Sequence, residues 1–252
     1  MESGIRGKNA VITGGSRGLG RAMALALAAE GVNVAICARS QPALDETLRD
    51  LQSHGIEAMA ESCDIADEAS LERFLDRVRQ HLGSIDILIC NASAMGAGDD
   101  REGWRRSIDL DLLSTVQAVQ QVSPWMQQAG GGSIILLSSI AALRGAGAPA
   151  YVTAKAALIS YAKAMAVKLA PHGIRVNSIA PGSIEFPGGV WDRARQEQPE
   201  RYHSTLNRIP SGRFGRPEEV ASVAVFLASE QARWVTGTCI PVDGGQLLSV
   251  GR

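Results

Sequence analysis

Seven short apolar or β-branched runs, at residues 10–13, 32–37, 57–63, 85–90, 133–137, 175–179 and 238–242, alternate with longer stretches in which apolar residues return at helical spacing. Leu71, Phe74, Leu75, Val78 and Leu82 mark one such helical face, and residues 154–170 form a run long enough to cover a sheet. The run 85–89 is apolar almost throughout, the pattern of a parallel strand with helices over both faces. This alternation predicts an α/β fold: one doubly wound, seven-stranded parallel sheet with helices on both faces, in a single domain over residues 1–252. Such sheets bind ligands outside the carboxyl ends of their strands, where strand order reverses, so chemistry is expected just after each run. Residues 183–212, rich in Pro, Gly, Arg and aromatics, stand outside the rhythm and read as a lid or substrate-binding loop.

The first run leads into Thr13-Gly14-Gly15-Ser16-Arg17-Gly18-Leu19-Gly20, and a helix follows. Glycines there let the backbone turn tightly and approach a pyrophosphate, while the helix start offers free N–H groups and a partial positive charge. In a strand–turn–helix setting this points to a dinucleotide. Gly14 to Gly18 also spell G-x-S-x-G, the nucleophile elbow of serine hydrolases, with Ser16 as the nucleophile. That alternative needs an acid and a histidine downstream, and none of His54, His81, His172 and His203 stands in a recognisable motif. At the end of the second strand, where a carboxylate would hold the 2′-hydroxyl of an NAD ribose, the chain reads Cys37-Ala38-Arg39-Ser40. Arg39, with Arg17 facing it from the glycine turn, supplies guanidinium forks for a 2′-phosphate, so NADP is expected ahead of NAD.

Tyrosine and lysine are scarce, three and four in 252 residues. Tyr151-Val152-Thr153-Ala154-Lys155 nevertheless sets one of each four apart, on one face of a helix, where chance gives about 0.05 such pairs. An ordinary phenol keeps its proton to about pH 10, but a neighbouring cation stabilises the phenolate, which lets Tyr151 exchange a proton with a carbonyl or alcohol oxygen. The fifth strand ends in Ser138-Ser139, a hydroxyl at the crevice that can hold that oxygen.

Composition narrows the partners. A formal charge of −1 gives no field for a polyanion, which argues against nucleic acid. No stretch approaches the ~18 apolar residues of a membrane span, so no membrane association is expected and the cytoplasm is the expected compartment. Cys37, Cys63, Cys90 and Cys239 lie far apart without a C-x-x-C, which predicts reduced core thiols and no metal site.

Taken together these motifs resemble the short-chain dehydrogenase/reductase family over essentially the whole chain. The matching features are Thr13-Gly14-x-x-x-Gly18-x-Gly20, Asp64-Ile65, Asn91-Ala92, Ser139 with Tyr151-x-x-x-Lys155, Arg175-Val176-Asn177 before Pro181-Gly182, and a tail from Gly215-Arg216-Pro217-Glu218-Glu219 to Val242-Asp243-Gly244-Gly245. The resemblance implies a Rossmann fold and an NAD(P)-dependent oxidoreductase, nearest to NADPH-linked ketoreductases of the 3-oxoacyl-acyl-carrier-protein reductase type. It implies Tyr151 as catalytic acid–base, Lys155 on the nicotinamide ribose and beside the phenol, and Ser139 orienting the carbonyl. Gly14, Ser16, Arg17, Gly18, Leu19 and Gly20 would surround the phosphates and Arg39 and Ser40 the 2′-phosphate. Asp64 and Ile65 would contact the adenine, Asn91 and Ala92 the adenosine ribose, and Pro181, Gly182 and Ile184 the carboxamide.

Three departures stand out. Asp111 occupies the place of a family asparagine that holds a water linking the lysine to solvent, and it is expected to keep that relay. Cys90-Asn91-Ala92-Ser93 replaces a common pair of asparagines and a glycine. Ser139 lies one residue closer to Tyr151 than usual; spacing alone would select Ser138, while the following Ile140-Ala141 selects Ser139, the preferred reading. In the lid, Phe186 and Trp191 either wall an apolar substrate pocket or pack the segment down, and Arg193, Arg195, Arg201, Arg208 and His203 either meet an anion or are solvated. Small residues on the Tyr151 helix, among them Ala156, Ala157 and Ser160, suit helix–helix contact, and the family implies a homotetramer, with a dimer second. The substrate class is a small carbonyl compound or its alcohol. A dinucleotide sensor without turnover is the competing function, and the intact Ser139, Tyr151 and Lys155 argue against it.

Overall fold

The computed structural model describes residues 3–95 and 98–248, so the two ends of the expected domain, residues 1–2 and 249–252, lie outside the described chain. Strands β1 (Asn9–Thr13), β2 (Asn33–Ala38), β3 (Ala58–Ser62), β4 (Ile87–Cys90), β5 (Gly132–Leu137), β6 (Ile174–Pro181) and β7 (Cys239–Val242) form one sheet in the order β3-β2-β1-β4-β5-β6-β7. Every pairing is parallel, and each strand falls within a residue or two of the run that predicts it. Strand order reverses beside β1, which pairs with β2 on one side (Val11↔Ala35) and β4 on the other (Val11↔Leu88). The binding crevice therefore opens where Thr13 and Cys90 end their strands.

Side chains alternate across the sheet, so each face has its own core. On one face α3 (Glu68–Leu82), α5 (Ser114–Ala129) and α7 (Pro149–Leu169) lay Phe74, Leu75, Val122 and Leu158 on Val11, Leu88 and Ile134. On the other, α1 (Gly18–Ala29), α2 (Gln41–Gln52) and α10 (Pro217–Ala228) lay Met23, Leu27, Leu44 and Leu227 on Ile12, Ile36 and Ile135. Each such fully buried side chain contributes about 1.5–3 kcal/mol. The alanines Ala24, Ala28, Ala221 and Ala224 let α1 and α10 approach closely. Cys37, Cys63 and Cys90 are buried, Cys239 is half-buried, and all four are free thiols. Among the described residues no helix is long and apolar enough to cross a membrane.

Two regions depart from simple strand–helix alternation. After β4, α4 (Arg101–Ser107) runs through a π-helical stretch, Ile108–Leu113, into α5. Such wide turns are frequent at functional sites, and this one carries the buried Asp111. The segment expected as a lid contains two short helices, α8 (Val190–Glu197) and α9 (Pro199–Leu206). Each buries a single residue, Ala194 and Thr205, so neither carries an apolar stripe that periodicity would reveal. Trp191 and Tyr202 stack on Phe214, with ring centroids 5.1 and 4.6 Å apart, which fastens the segment to the body. Its base is pinned by paired backbone bonds, Glu185 N–H to Gly215 O at 2.9 Å and Gly215 N–H to Ser183 O at 3.0 Å. Glu219, held down to about 2 by Arg213 and by the Arg216 N–H, then fixes the start of α10 beside that base.

Candidate active site

The glycine turn is built by its neighbours as much as by its own residues. Gly14 adopts φ 69° and Gly18 φ 54°, the left-handed region that favours glycine. The Gly14 and Gly15 N–H groups donate to Cys37 O at 2.8 and 3.1 Å, which ties the turn to β2. Asn91 Nδ2 donates to both Thr13 O and Gly14 O at 3.0 Å, tying it to β4. A Cβ on Gly20 would strike the Gly14 carbonyl and come within 2.5 Å of Asn91 Nδ2, so α1 can start against the strand only with glycine there. The first N–H groups of α1, unpaired within the helix, are thereby left at the mouth of the crevice. Asn91, expected on the adenosine side, lines the cleft and has both amide hydrogens committed to the turn.

A cleft of about 510 Å³ joins these parts. It runs from Arg39, Ser40, Asp64 and Ile65, past Gly14, Ser16, Arg17, Leu19 and Gly20 with Asn91 and Ala92 opposite, to Tyr151, Lys155 and Pro181. Arg17 and Arg39 form no ion pair among the described residues, and Asp64 supports its own loop by accepting the Ala66 N–H at 3.1 Å. No histidine lines the cleft among the described residues, so Ser16 has no base beside it and the hydrolase alternative fails.

At the far end Tyr151 and Lys155 occupy the first turns of α7, which opens at Pro149. Lys155 is buried, and its Nζ donates to Leu137 O at 2.9 Å, pairs with Asp111 Oδ1 at 3.1 Å and lies 5.9 Å from the centroid of the Tyr151 ring. Asp111 is wholly buried, and its Oδ2 accepts the Ala94 N–H at 3.3 Å. The carboxylate thus reaches the ammonium directly and supplies the counter-charge that a buried cation needs. Ser138 lines the cleft, but its O–H is committed to Lys155 O at 2.8 Å. Ser139 is not among the lining residues; it caps α6 (Ile140–Arg144) by accepting the Ala141 N–H at 3.1 Å, so its O–H remains a free donor.

Three expected cofactor contacts, Gly18, Gly182 and Ile184, are not in the cleft wall. Ile184 is a core side chain on the α1 face of the sheet, drawn inward by its bridge to Gly215. Gly182 lies against Asp243, where a Cβ would come within 2.6 Å of the Asp243 Cβ, and serves to seat the C-terminal turn. Conversely, Phe186, Gly188, Gly189, Val190 and Arg193 of the lid line the cleft; the sequence offers a pocket-wall reading for Phe186 and an anion-binding one for Arg193, and no specific role for the other three. The aromatics divide: Trp191 packs the segment down and Phe186 faces the cleft over Gly18.

A family model described as enoyl-(acyl carrier protein) reductase matches residues 14–246. Isoepoxydon dehydrogenase of Penicillium expansum is 36% identical over 250 residues, covering 97% of this chain and 96% of that protein. The 3-oxoacyl-acyl-carrier-protein reductase of Thermotoga maritima is 35% identical, with 97% and 99% covered. The chain belongs to the short-chain dehydrogenase/reductase family. A solved short-chain alcohol dehydrogenase from Sinorhizobium meliloti shares the fold at a TM-score of 0.93 and 33% identity, over 99% of this chain and 100% of that one. Members of this family are NAD(P)-dependent oxidoreductases of carbonyl and alcohol groups. The residues of this short-chain dehydrogenase/reductase fit such a cofactor, because the turn excludes any side chain at Gly20, and Arg17 and Arg39, without an ion pair among the described residues, line the same cleft.

Proposed function

We propose that the protein interconverts a ketone and a secondary alcohol with NADP(H), the bound nicotinamide supplying or accepting the hydride and Tyr151 the proton. The observation that carries this reading is the buried Lys155 ammonium, fixed by Leu137 O and Asp111 5.9 Å from the Tyr151 ring. Such a cation offsets the negative charge that develops on the Tyr151 oxygen as its proton is transferred. Ser139 is assigned to orient the carbonyl, since of the two serines it alone keeps a free O–H donor. Asp111 holds Lys155 in place and stands next in line for the proton. Adenine lies by Asp64 and Ile65 in this reading, and the carboxamide by Pro181. The relatives, one a dehydrogenase of isoepoxydon and one a 3-oxoacyl reductase, are in keeping with ketone chemistry.

The test is NADPH oxidation against ketones, diketones and 3-oxoesters, with turnover expected on at least one class. Cofactor binding without turnover on any of them would overturn the proposal in favour of a sensor. For NADP selectivity, Arg39→Ala should weaken NADPH roughly ten- to a hundredfold, one charged hydrogen bond being worth about 1.5–3 kcal/mol, and leave NADH unchanged. Equal weakening of both would refute the 2′-phosphate assignment. Assembly as a homotetramer through α7, whose Val167 is exposed, is part of the same proposal; a monomeric mass in solution would contradict it.

A further inference from the structure

The lid brings one more cation to the cofactor cleft. Arg193, on the first turns of α8, lines the same cavity as Ser16, Arg17 and Leu19 of the glycine turn. Its guanidinium forms no hydrogen bond or ion pair among the described residues. The nearby acids of the segment are already engaged. Asp192 accepts the Gly188 N–H at 2.8 Å and Arg195 at 2.8 Å, and Glu185 accepts the Tyr202 O–H at 3.3 Å and faces Arg195 at 3.7 Å. The other lid arginines are accounted for as well: Arg201 lies over the Trp191 ring and Arg208 donates to Ser204 O. Arg193 is thus the lid cation that faces the cleft uncompensated.

Phe186 sets how close the lid stands to the turn. Its ring lies between Gly18 and Gly189, so that a Cβ on Gly18 would be 2.5 Å, and one on Gly189 3.1 Å, from the same Cζ atom. The tip of one ring thus meets both the lid and the start of α1, and Arg193 lines the same cleft as the glycine turn. We propose that Arg193 binds the pyrophosphate of the dinucleotide from the lid side, opposite the first N–H groups of α1, and so couples seating of the lid to cofactor binding. The inference rests on the dinucleotide reading above. Arginine suits the task because its planar fork can engage two phosphate oxygens at once while the helix start engages others.

The experiment measures dissociation constants of the full-length protein for NADPH, NADH and adenosine 2′,5′-bisphosphate, which has the 2′-phosphate but no pyrophosphate. Arg193→Met should weaken NADPH and NADH alike by ten- to a hundredfold and leave the bisphosphate unchanged, with Arg193→Lys recovering part of the loss. Arg39→Ala should do the opposite, weakening NADPH and the bisphosphate and sparing NADH. Dinucleotide affinities within twofold of the parent in Arg193→Met would overturn the proposal, and a raised substrate KM at unchanged NADPH affinity would reassign Arg193 to an anionic substrate. Loss of NADPH and bisphosphate binding with NADH spared would move it to the 2′-phosphate. A parent protein that binds none of the three would refute the dinucleotide reading itself. An unchanged urea midpoint, expected because Arg193 makes no contact that folding needs, keeps these outcomes interpretable.

Discussion

Tyr151→Phe should lower kcat by at least about a hundredfold while leaving the NADPH dissociation constant within twofold of the parent, because positioned proton transfer contributes ~10²–10⁴ and the ring itself is retained. Tyr151 is the phenol that lines the cleft, and the neighbouring proton carriers are poorly placed to replace it. Lys155 Nζ is drawn back by Leu137 O and Asp111, and the Ser138 hydroxyl donates to Lys155 O. Single-turnover oxidation of prebound NADPH separates the chemical step from binding. A loss of less than tenfold would mean that another group supplies the proton, with Lys155 the first to examine.

Asp111 should show the second large effect, divided between two variants. Asp111→Ala leaves the Lys155 ammonium buried without a counter-charge, a situation that costs about 3–5 kcal/mol. The variant should therefore unfold at a much lower urea concentration. Asp111→Asn keeps the shape and one acceptor oxygen, which can serve Lys155 or the Ala94 N–H but not both, so it should fold with a smaller loss than the alanine variant. Its pH–rate profile should differ from that of the parent, since the variant removes the carboxylate that contacts Lys155. An unchanged profile in a folded Asp111→Asn would remove Asp111 from the proton path and leave it a merely structural partner.

The parts legible in the sequence are those with strong local signatures. Strands such as β4 and β5 are covered on both faces and therefore read as unbroken apolar runs. The glycine turn and the Tyr151–Lys155 interval announce themselves because backbone geometry and helical spacing constrain residue type at fixed offsets. What was hidden depends on contacts between distant segments. Helices α8 and α9 carry polar sequences with one buried residue apiece, so no periodicity betrays them. Whether Ile184 turns to the cleft or the core is decided by its bridge to Gly215, and the role of Asn91 by the carbonyls of Thr13 and Gly14. The direct Asp111–Lys155 pair follows from a π-helical turn, a feature without a sequence rule of its own.

The tie between Asn91 and the glycine turn bears on how the protein matures. Its two amide bonds span 78 and 77 positions of chain, and β1 meets β4 across a similar interval, so the phosphate cradle has no local precursor in the unfolded ensemble. Contacts of such separation form late, after loop closure has brought the central strands together. A nascent chain on the ribosome therefore exposes its Gly-rich turn without a functioning cradle, and competence to capture a dinucleotide marks completion of the sheet's centre. From that moment bound nucleotide draws the folding equilibrium toward the native state by mass action.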